Sequence, residues 1–172
     1  SSGLASDGVV ALFELRARLF SAVLADPELR AQLPKVDVTL VETAWRALGA
    51  TRWDLAKDPR GSEQALLAAC EVSPLSGYDL YAHDLAELAG PERAAAAIME
   101  RLSLSTELAA PRRVRMALAC AQMAAEHGLA AYALDAALAA LEVEPANTEA
   151  IAMVEAQAPH VEGGVAAVDH MY

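Results

Sequence analysis

The sequence predicts an all-α fold, and three observations support that prediction. Hydrophobic residues make up 55% of the 172 residues but aromatic residues only 5%, so the apolar content is mainly alanine and leucine. Both residues are among the strongest helix formers. Valine, isoleucine and threonine never alternate with polar residues over a convincing run, which is the pattern of a half-buried strand. Proline and glycine fall between segments of helical period, where helices begin and end.

The first 36 residues are predicted to form a helical hairpin. Apolar side chains recur at helical spacing over residues 9–25, and Asp26 with Pro27 closes this helix and caps the next one. The second helix covers residues 28–33 and stops at the proline that follows. We expect this hairpin to pack on the N-terminal end of the helices that come after it.

Seven further helices are predicted after the hairpin. Asp37 or Thr39 caps a third helix that stops at Gly49, a residue type that commonly ends helices. The polar segment from there to Ser62 is predicted as a loop that can hold a helical turn. From residue 159 the sequence has no period and is predicted as a C-terminal tail. The remaining helices are predicted at residues 62–72, 77–89, 91–104, 111–127, 129–143 and 147–157.

Charge and cysteine content exclude several functional classes. The net charge of −11 opposes the phosphate neutralisation that nucleic-acid binding requires. Arg112, Arg113 and Arg115 form the one basic cluster, either a local patch or a solvated face. Cys70 and Cys120 lie in apolar helical runs, which indicates buried thiols in a reducing, cytoplasmic compartment. No apolar run approaches the length of a membrane span, so no membrane insertion is expected.

Two stretches of the chain echo each other. AACEVSP at residues 68–74 and AALEVEP at residues 139–145 both end in proline, and the two prolines lie 71 residues apart. Two helical repeats of about 34 residues would separate them by about 68. A middle copy is then expected to end near Thr106, where RLSLST has the same apolar spacing. The sequence therefore predicts three units of paired helices.

The residues of these units follow a known motif. The first unit opens with Trp45, Leu48 and Gly49 in the pattern Trp-x-x-Leu-Gly and closes with Ala69 and Pro74. Matching positions of the later units hold Tyr78, Tyr81, Ala82, Leu85, Ala94, Ile98 and Thr106, and then Ala117, Cys120, Ala121, Ala124, Gly128, Ala133, Ala137, Ala140 and Pro145.

On these residues the chain resembles the tetratricopeptide repeat family. The resemblance implies an α-solenoid, an antiparallel stack of helix hairpins with about three repeats plus a capping helix. It divides the chain into an N-terminal helical extension (1–36), the repeats (37–158) and a tail (159–172). An irregular α-bundle is the alternative fold, because alanine-rich helices also match small-and-bulky patterns.

The resemblance also implies a concave groove that holds a partner peptide or helix, lined by the first helix of each pair. This chain lacks the Lys and Asn with which some members of the family clamp a carboxylate, so pairing of arginines with acidic side chains is expected instead. Trp53 anchors either the core or an interface. By position, the groove residues are Arg46, Trp53, Asp79, His83, Glu87, Arg115, Gln122 and Glu126.

No motif of nucleophilic, metal or phosphate chemistry is present in the sequence, so we expect no enzyme activity, no cofactor and no metal. His83 and Glu87 lie four residues apart on one helical face, an arrangement that can hold a metal or serve acid–base chemistry but that recurs by chance on charged helices. The leading prediction is a protein-interaction module, an adaptor or scaffold, with a protein or peptide partner and a possible homodimer. The start without methionine indicates an excised fragment. Two alternatives stay open: a chaperone-like tetratricopeptide protein of a secretion system, and a non-catalytic dimerisation or recruitment domain of a larger enzyme.

Overall fold

The computed structural model describes residues 2–73, 77–104 and 108–169. Within these ranges the chain forms ten α-helices and one 3-10 turn, with no strand, which confirms the all-α prediction. Pro74 and Thr106, predicted to end the first two repeats, lie outside the described residues. The chain divides into two compact units, residues 1–84 and 85–172. The helices are α1 (Ser2–Ala25), α2 (Pro27–Gln32), α3 (Val38–Asp54), α4 (Pro59–Val72), α5 (Gly77–Ala89), α6 (Pro91–Leu104), α7 (Ala110–Glu126), α8 (Ala130–Val143), α9 (Thr148–Gln157) and α10 (Gly164–Asp169).

In the first unit, one face of α1 packs against α3, and α3 packs against α4. Trp45 of α3 lies between these elements, and its indole Nε1 donates a hydrogen bond of 2.8 Å to Ser21 Oγ of α1. The indole thereby satisfies its single donor while its ring remains in apolar contact. The core around it consists of Ala17, Ala44, Leu48 and Ala65, with Val10, Phe13 and Phe20 packed against them.

Three aspartates set where helices of the first unit begin. Asp26 accepts a bond of 2.8 Å from the backbone N–H of Glu28, and Asp37 accepts one of 2.9 Å from Leu40. Both caps confirm the sequence prediction, since a short acidic side chain satisfies N–H groups that have no partner within the helix. Asp58 caps α4 in the same way, so that helix begins at Pro59 and not at Ser62 as predicted.

The predicted end of α3 at Gly49 was wrong. The helix continues to Asp54, and the connection to α4 is correspondingly shorter than the predicted loop. Gly49 is buried, and a Cβ added there would lie 2.8 Å from Leu66 Cδ2. The glycine therefore serves packing, because its missing side chain lets α4 approach closely.

The second unit is built around α7, which packs against α6, α8 and α9. Alanines fill its interior, and Cys120 Sγ lies 3.9 Å from the carbonyl oxygen of Ala95 on α6. Small side chains permit this approach of one helix to the backbone of another. The observed ends of α5 to α9 agree with the predicted ends to within one residue.

Both ends of the chain contain more helix than predicted. Helix α1 begins at Ser2, although its first turns lack an apolar period. The predicted tail contains a 3-10 turn (Ala158–His160) and α10, which packs against that turn and α9. A Cβ on Gly164 would collide with the carbonyl oxygen of Ala158, so the glycine allows this close return.

Candidate functional site

Beyond its exposed first turn, helix α7 is buried at most positions and exposes three polar side chains. Arg115, Gln122 and Glu126 are exposed, and together they form what we call the α7 stripe. Gln122 Nε2 donates a hydrogen bond of 3.1 Å to Glu126 Oε1. All three residues were predicted from the sequence to face the groove. The buried residues of the same helix are Val114, Met116, Ala117, Leu118, Ala119, Cys120, Ala121, Met123 and Ala124.

Helix α5 has a comparable pattern. Asp79, His83 and Glu87 are exposed and recur every four residues, so they share one face of the helix, which we call the α5 stripe. The opposite side is buried through Tyr81 and Leu85, among others. The division between the two units falls within this helix, after Asp84.

Arg46, another predicted groove residue, is engaged within the first unit. Its Nε and Nη2 donate to the two carboxylate oxygens of Asp84 at 2.5 and 2.7 Å. Asp84 is 9% exposed, so this is a partly buried, bidentate ion pair that ties α3 to α5. Sequence analysis missed Asp84, because the two residues lie 38 positions apart and no local pattern connects them.

Cys70 lies close to this ion pair in the interior of the first unit. Its thiol donates a bond of 3.0 Å to the carbonyl oxygen of Gly77, at the start of α5. Burial and, to a smaller extent, the negative charges of Glu42 and Asp84 raise the pKa of the thiol to about 12. The neutral thiol is therefore the form present at physiological pH, and it acts as a packing group and weak donor, not as a nucleophile.

Trp53 lies in the last turn of α3, where it is half-buried. Its neighbour Arg52 holds this turn in place, with Nη1 donating to the carbonyl oxygen of Gly61 at 2.9 Å and Nη2 to Glu14 Oε2 at 2.8 Å. The indole thus has one surface in contact with protein and one in contact with solvent. Half-burial is compatible with both predictions for Trp53, an anchor of the core and an anchor of an interface, so both stay predictions.

A shallow groove of about 330 Å³ in the second unit was not predicted. Arg113 lines it, its Nε is buried, and that atom has no hydrogen-bond partner among the described residues. Helical phase separates Arg113 from the exposed Arg115, because the residues seven and eleven positions after Arg113 are buried, whereas those seven and eleven positions after Arg115 are exposed. This difference in helical phase is present in the sequence, and it was the signal that could have identified Arg113. The other residues lining the groove are Met99, Leu102, Ser103, Asp135, Leu138, Ala139 and Glu142.

The described residues contain neither a cluster suited to a metal ion nor a helix suited to a membrane. Across residues 2–73, 77–104 and 108–169, no group of three or more histidine, cysteine, aspartate or glutamate side chains is placed to hold a metal ion. Over the same part of the chain, no helix combines the length and the apolar composition that crossing a bilayer requires.

The chain matches no protein-family model, no curated protein and no solved structure at a significant level. The resemblance to tetratricopeptide repeats therefore stays a prediction from the spacing of its motif residues. Together with Arg112, the residues of the two stripes are the exposed polar positions of α5 and α7.

Proposed function

We propose that this chain is a protein-interaction module, an adaptor or scaffold that binds a partner polypeptide along the α7 stripe. The observation that carries the proposal is the burial pattern of α7. Nine of its residues are buried, and beyond the exposed first turn Arg115, Gln122 and Glu126 stay exposed on one side of the helix, with the buried Leu118 and Ala119 between the first two. A helix that packs on most of its sides leaves few polar side chains open to solvent, and these are the positions at which a partner can contact it.

The packing of α7 supports a tetratricopeptide-like arrangement. Helix α7 packs against α6 and α8 and also against α9, which lies two helices further along the chain. In a stack of helix pairs, the first helix of one pair contacts its own partner, the preceding helix and the first helix of the next pair. We accordingly assign α7 and α8 as one pair and α9 as the first helix of the cap.

The charges of the stripe define the partner by chemistry. Arg115 and Glu126 are eleven residues apart, which corresponds to about 17 Å along the helix. A partner segment that complements the stripe carries a carboxylate opposite Arg115 and a basic group opposite Glu126, with an amide or hydroxyl near Gln122 between them. Arginine pairs with a carboxylate in a bidentate manner, which fixes the orientation of the segment.

A charge swap that keeps the net charge constant tests the proposal. The double substitution Arg115→Glu with Glu126→Lys reverses the stripe. Arg93→Glu with Glu100→Lys makes the same exchange between exposed positions of α6 and serves as the matched control. Both swaps place the acid nearer the N-terminus of a helix and the base nearer its C-terminus, which suits the helix dipole, so neither swap should reduce helicity.

The parent protein, the reversed stripe and the control are immobilised and exposed to lysate. Each captured protein is then identified, purified and titrated against all three. We expect the parent and the control to bind the same partner, and the reversed stripe to bind it at least about tenfold more weakly. Equal affinity of all three proteins for every purified partner would rule out the α7 stripe as the binding surface.

A further inference from the structure

Helix α1 is apolar on two opposite faces. One face, with Val10, Phe13, Ala17 and Phe20, packs into the core of the first unit. The other face exposes leucines, with Leu12 at 67%, Leu15 at 63% and Leu19 at 56% of their surface open to solvent. A helix that is apolar on both sides is expected to have a neighbour on both sides. Over the part of the first unit that the structure describes, only one of these two faces of α1 is covered.

The exposed face has the spacing of a helix-pairing surface. Successive residues of this face are alternately three and four positions apart in the sequence, which is the spacing of the two apolar positions in a coiled-coil heptad. We call this line the leucine seam. It consists of Ala5, Gly8, Leu12, Leu15, Leu19 and Ala22, all of them exposed.

We propose that the seam pairs with the seam of a second copy of this chain, with the two α1 helices antiparallel. In that alignment Leu12 of one copy packs on Leu15 of the other, and the two-fold axis generates a second, identical contact. Leu19 packs over Gly8, where the structure leaves open space, because a Cβ added there would meet no atom within 4 Å. Ala5 meets Ala22 at each end. Large residues thus face small ones at the flanks and leucine faces leucine at the centre, so the surface is complementary to itself, as a two-fold interface requires.

The distribution of charge permits this contact. Residues 1–36 contain four acidic and four basic side chains, so the net charge of −11 resides entirely in residues 37–172. Two copies therefore meet at a segment without net charge, and the residues that carry the net negative charge lie outside the contact. The arginines beside the seam already have partners within the helix: the Arg18 guanidinium bonds to Glu14, and that of Arg16 lies 5.4 Å from the centre of the Phe20 ring.

The length of the seam sets the expected strength of the dimer. From Ala5 to Ala22 it covers 18 residues, and the two end residues lie about 26 Å apart along the helix. One helix pair of this length lies at the small end of specific interfaces, which total about 1,200–2,000 Å². We therefore expect a reversible dimer that dissociates on dilution. This inference is independent of the α7 stripe and concerns a different helix.

Light scattering after size exclusion, over a hundredfold range of concentration, measures the dimer. Leu15→Glu places a carboxylate against the apolar Leu12 of each partner copy and is expected to shift the midpoint of dimerisation at least about tenfold upward. Leu104→Glu is the matched control, because Leu104 is an exposed helical leucine (73%) outside the seam. Far-UV circular dichroism verifies that both variants remain folded.

Cross-linking of substituted cysteines tests the direction of pairing without altering the leucines. Ala5→Cys and Ala22→Cys are prepared as separate proteins and treated with a short bis-maleimide. Positions 5 and 22 of antiparallel copies are adjacent, so a mixture of the two proteins should cross-link and neither should do so alone. A parallel pair would instead cross-link each protein with itself. The native thiols are buried, and burial raises the pKa of both to about 12, which keeps them unreactive.

A dimer that Leu15→Glu weakens and Leu104→Glu does not, with cross-linking only in the mixture, supports the proposal. A monomer at every concentration overturns it. So does a dimer that persists in Leu15→Glu, since its interface lies elsewhere. Flotation with vesicles of phosphatidylcholine and phosphatidylserine distinguishes a membrane-facing helix, and binding to vesicles by a protein that stays monomeric also overturns the proposal.

Discussion

Replacing Gly77 with alanine tests how closely α5 must approach α4 in the first unit. A Cβ at this position would lie 2.6 Å from Cys70 Cα and 2.9 Å from Cys70 O, both of them backbone atoms. Carbon atoms in contact prefer about 3.5–4.0 Å, so the first turn of α5 must move by about 1 Å. Overpacking of this kind costs about 1–3 kcal/mol, and the helix preference of alanine offsets up to about 1 kcal/mol. We expect a net loss of about 1–2 kcal/mol.

The same substitution at Gly8 is the matched control. A Cβ there meets nothing within 4 Å, so alanine should stabilise the exposed helix by about 0.5–1 kcal/mol. Urea unfolding followed by circular dichroism, at concentrations below dimerisation, gives both free energies of unfolding. Reaction of Cys70 with a thiol reagent gives a second readout, because moving Gly77 breaks the bond that its carbonyl oxygen accepts from the thiol. Equal changes in stability at the two glycines would refute the packing argument.

Two further predictions concern the interior of the protein. Asp84→Asn should lower the free energy of unfolding by about 1–2 kcal/mol, a value that is reduced because Arg46 is partly exposed to solvent. A double-mutant cycle of Asp84→Asn with Arg46→Gln should give a coupling energy. A coupling energy of zero would contradict the ion pair. Stability should also fall as the pH rises from about 9 towards 12, because the buried Cys70 and Cys120 keep their protons to a pKa of about 12 while the unfolded thiols lose theirs near 9. The Cys70→Ala, Cys120→Ala variant should show a shallower pH dependence, and an unchanged slope in urea titrations would contradict this assignment.

Local chemistry made the helices of this chain predictable. Asp26 and Asp37 cap helices as short acidic residues do, and Pro91 begins α6 where its missing N–H is not needed. Arg115, Gln122 and Glu126 were placed on the groove side by their position in the repeat motif, and all three are exposed in the structure, although the groove itself stays a prediction.

The features that sequence analysis missed depend on contacts between distant residues. Gly49 has the local character of a helix stop, and only the nearness of Leu66 shows that its role is close packing. Arg46 resembles an exposed groove residue until Asp84 is found beside it. The leucine seam was missed for another reason: the apolar residues of α1 were recognised by their helical spacing without being divided between faces, and the packing of Phe13 and Phe20 shows that they occupy two.

Site-specific photo-crosslinking tests the proposed function most directly. A photoreactive phenylalanine analogue replaces Gln122 at the centre of the α7 stripe or, as the control, Asp135, an exposed residue of α8. With the purified partner bound, irradiation should join the partner to position 122 and not to position 135. Cross-linking from position 135 alone, at saturating partner, would contradict the assignment of the α7 stripe as the binding surface.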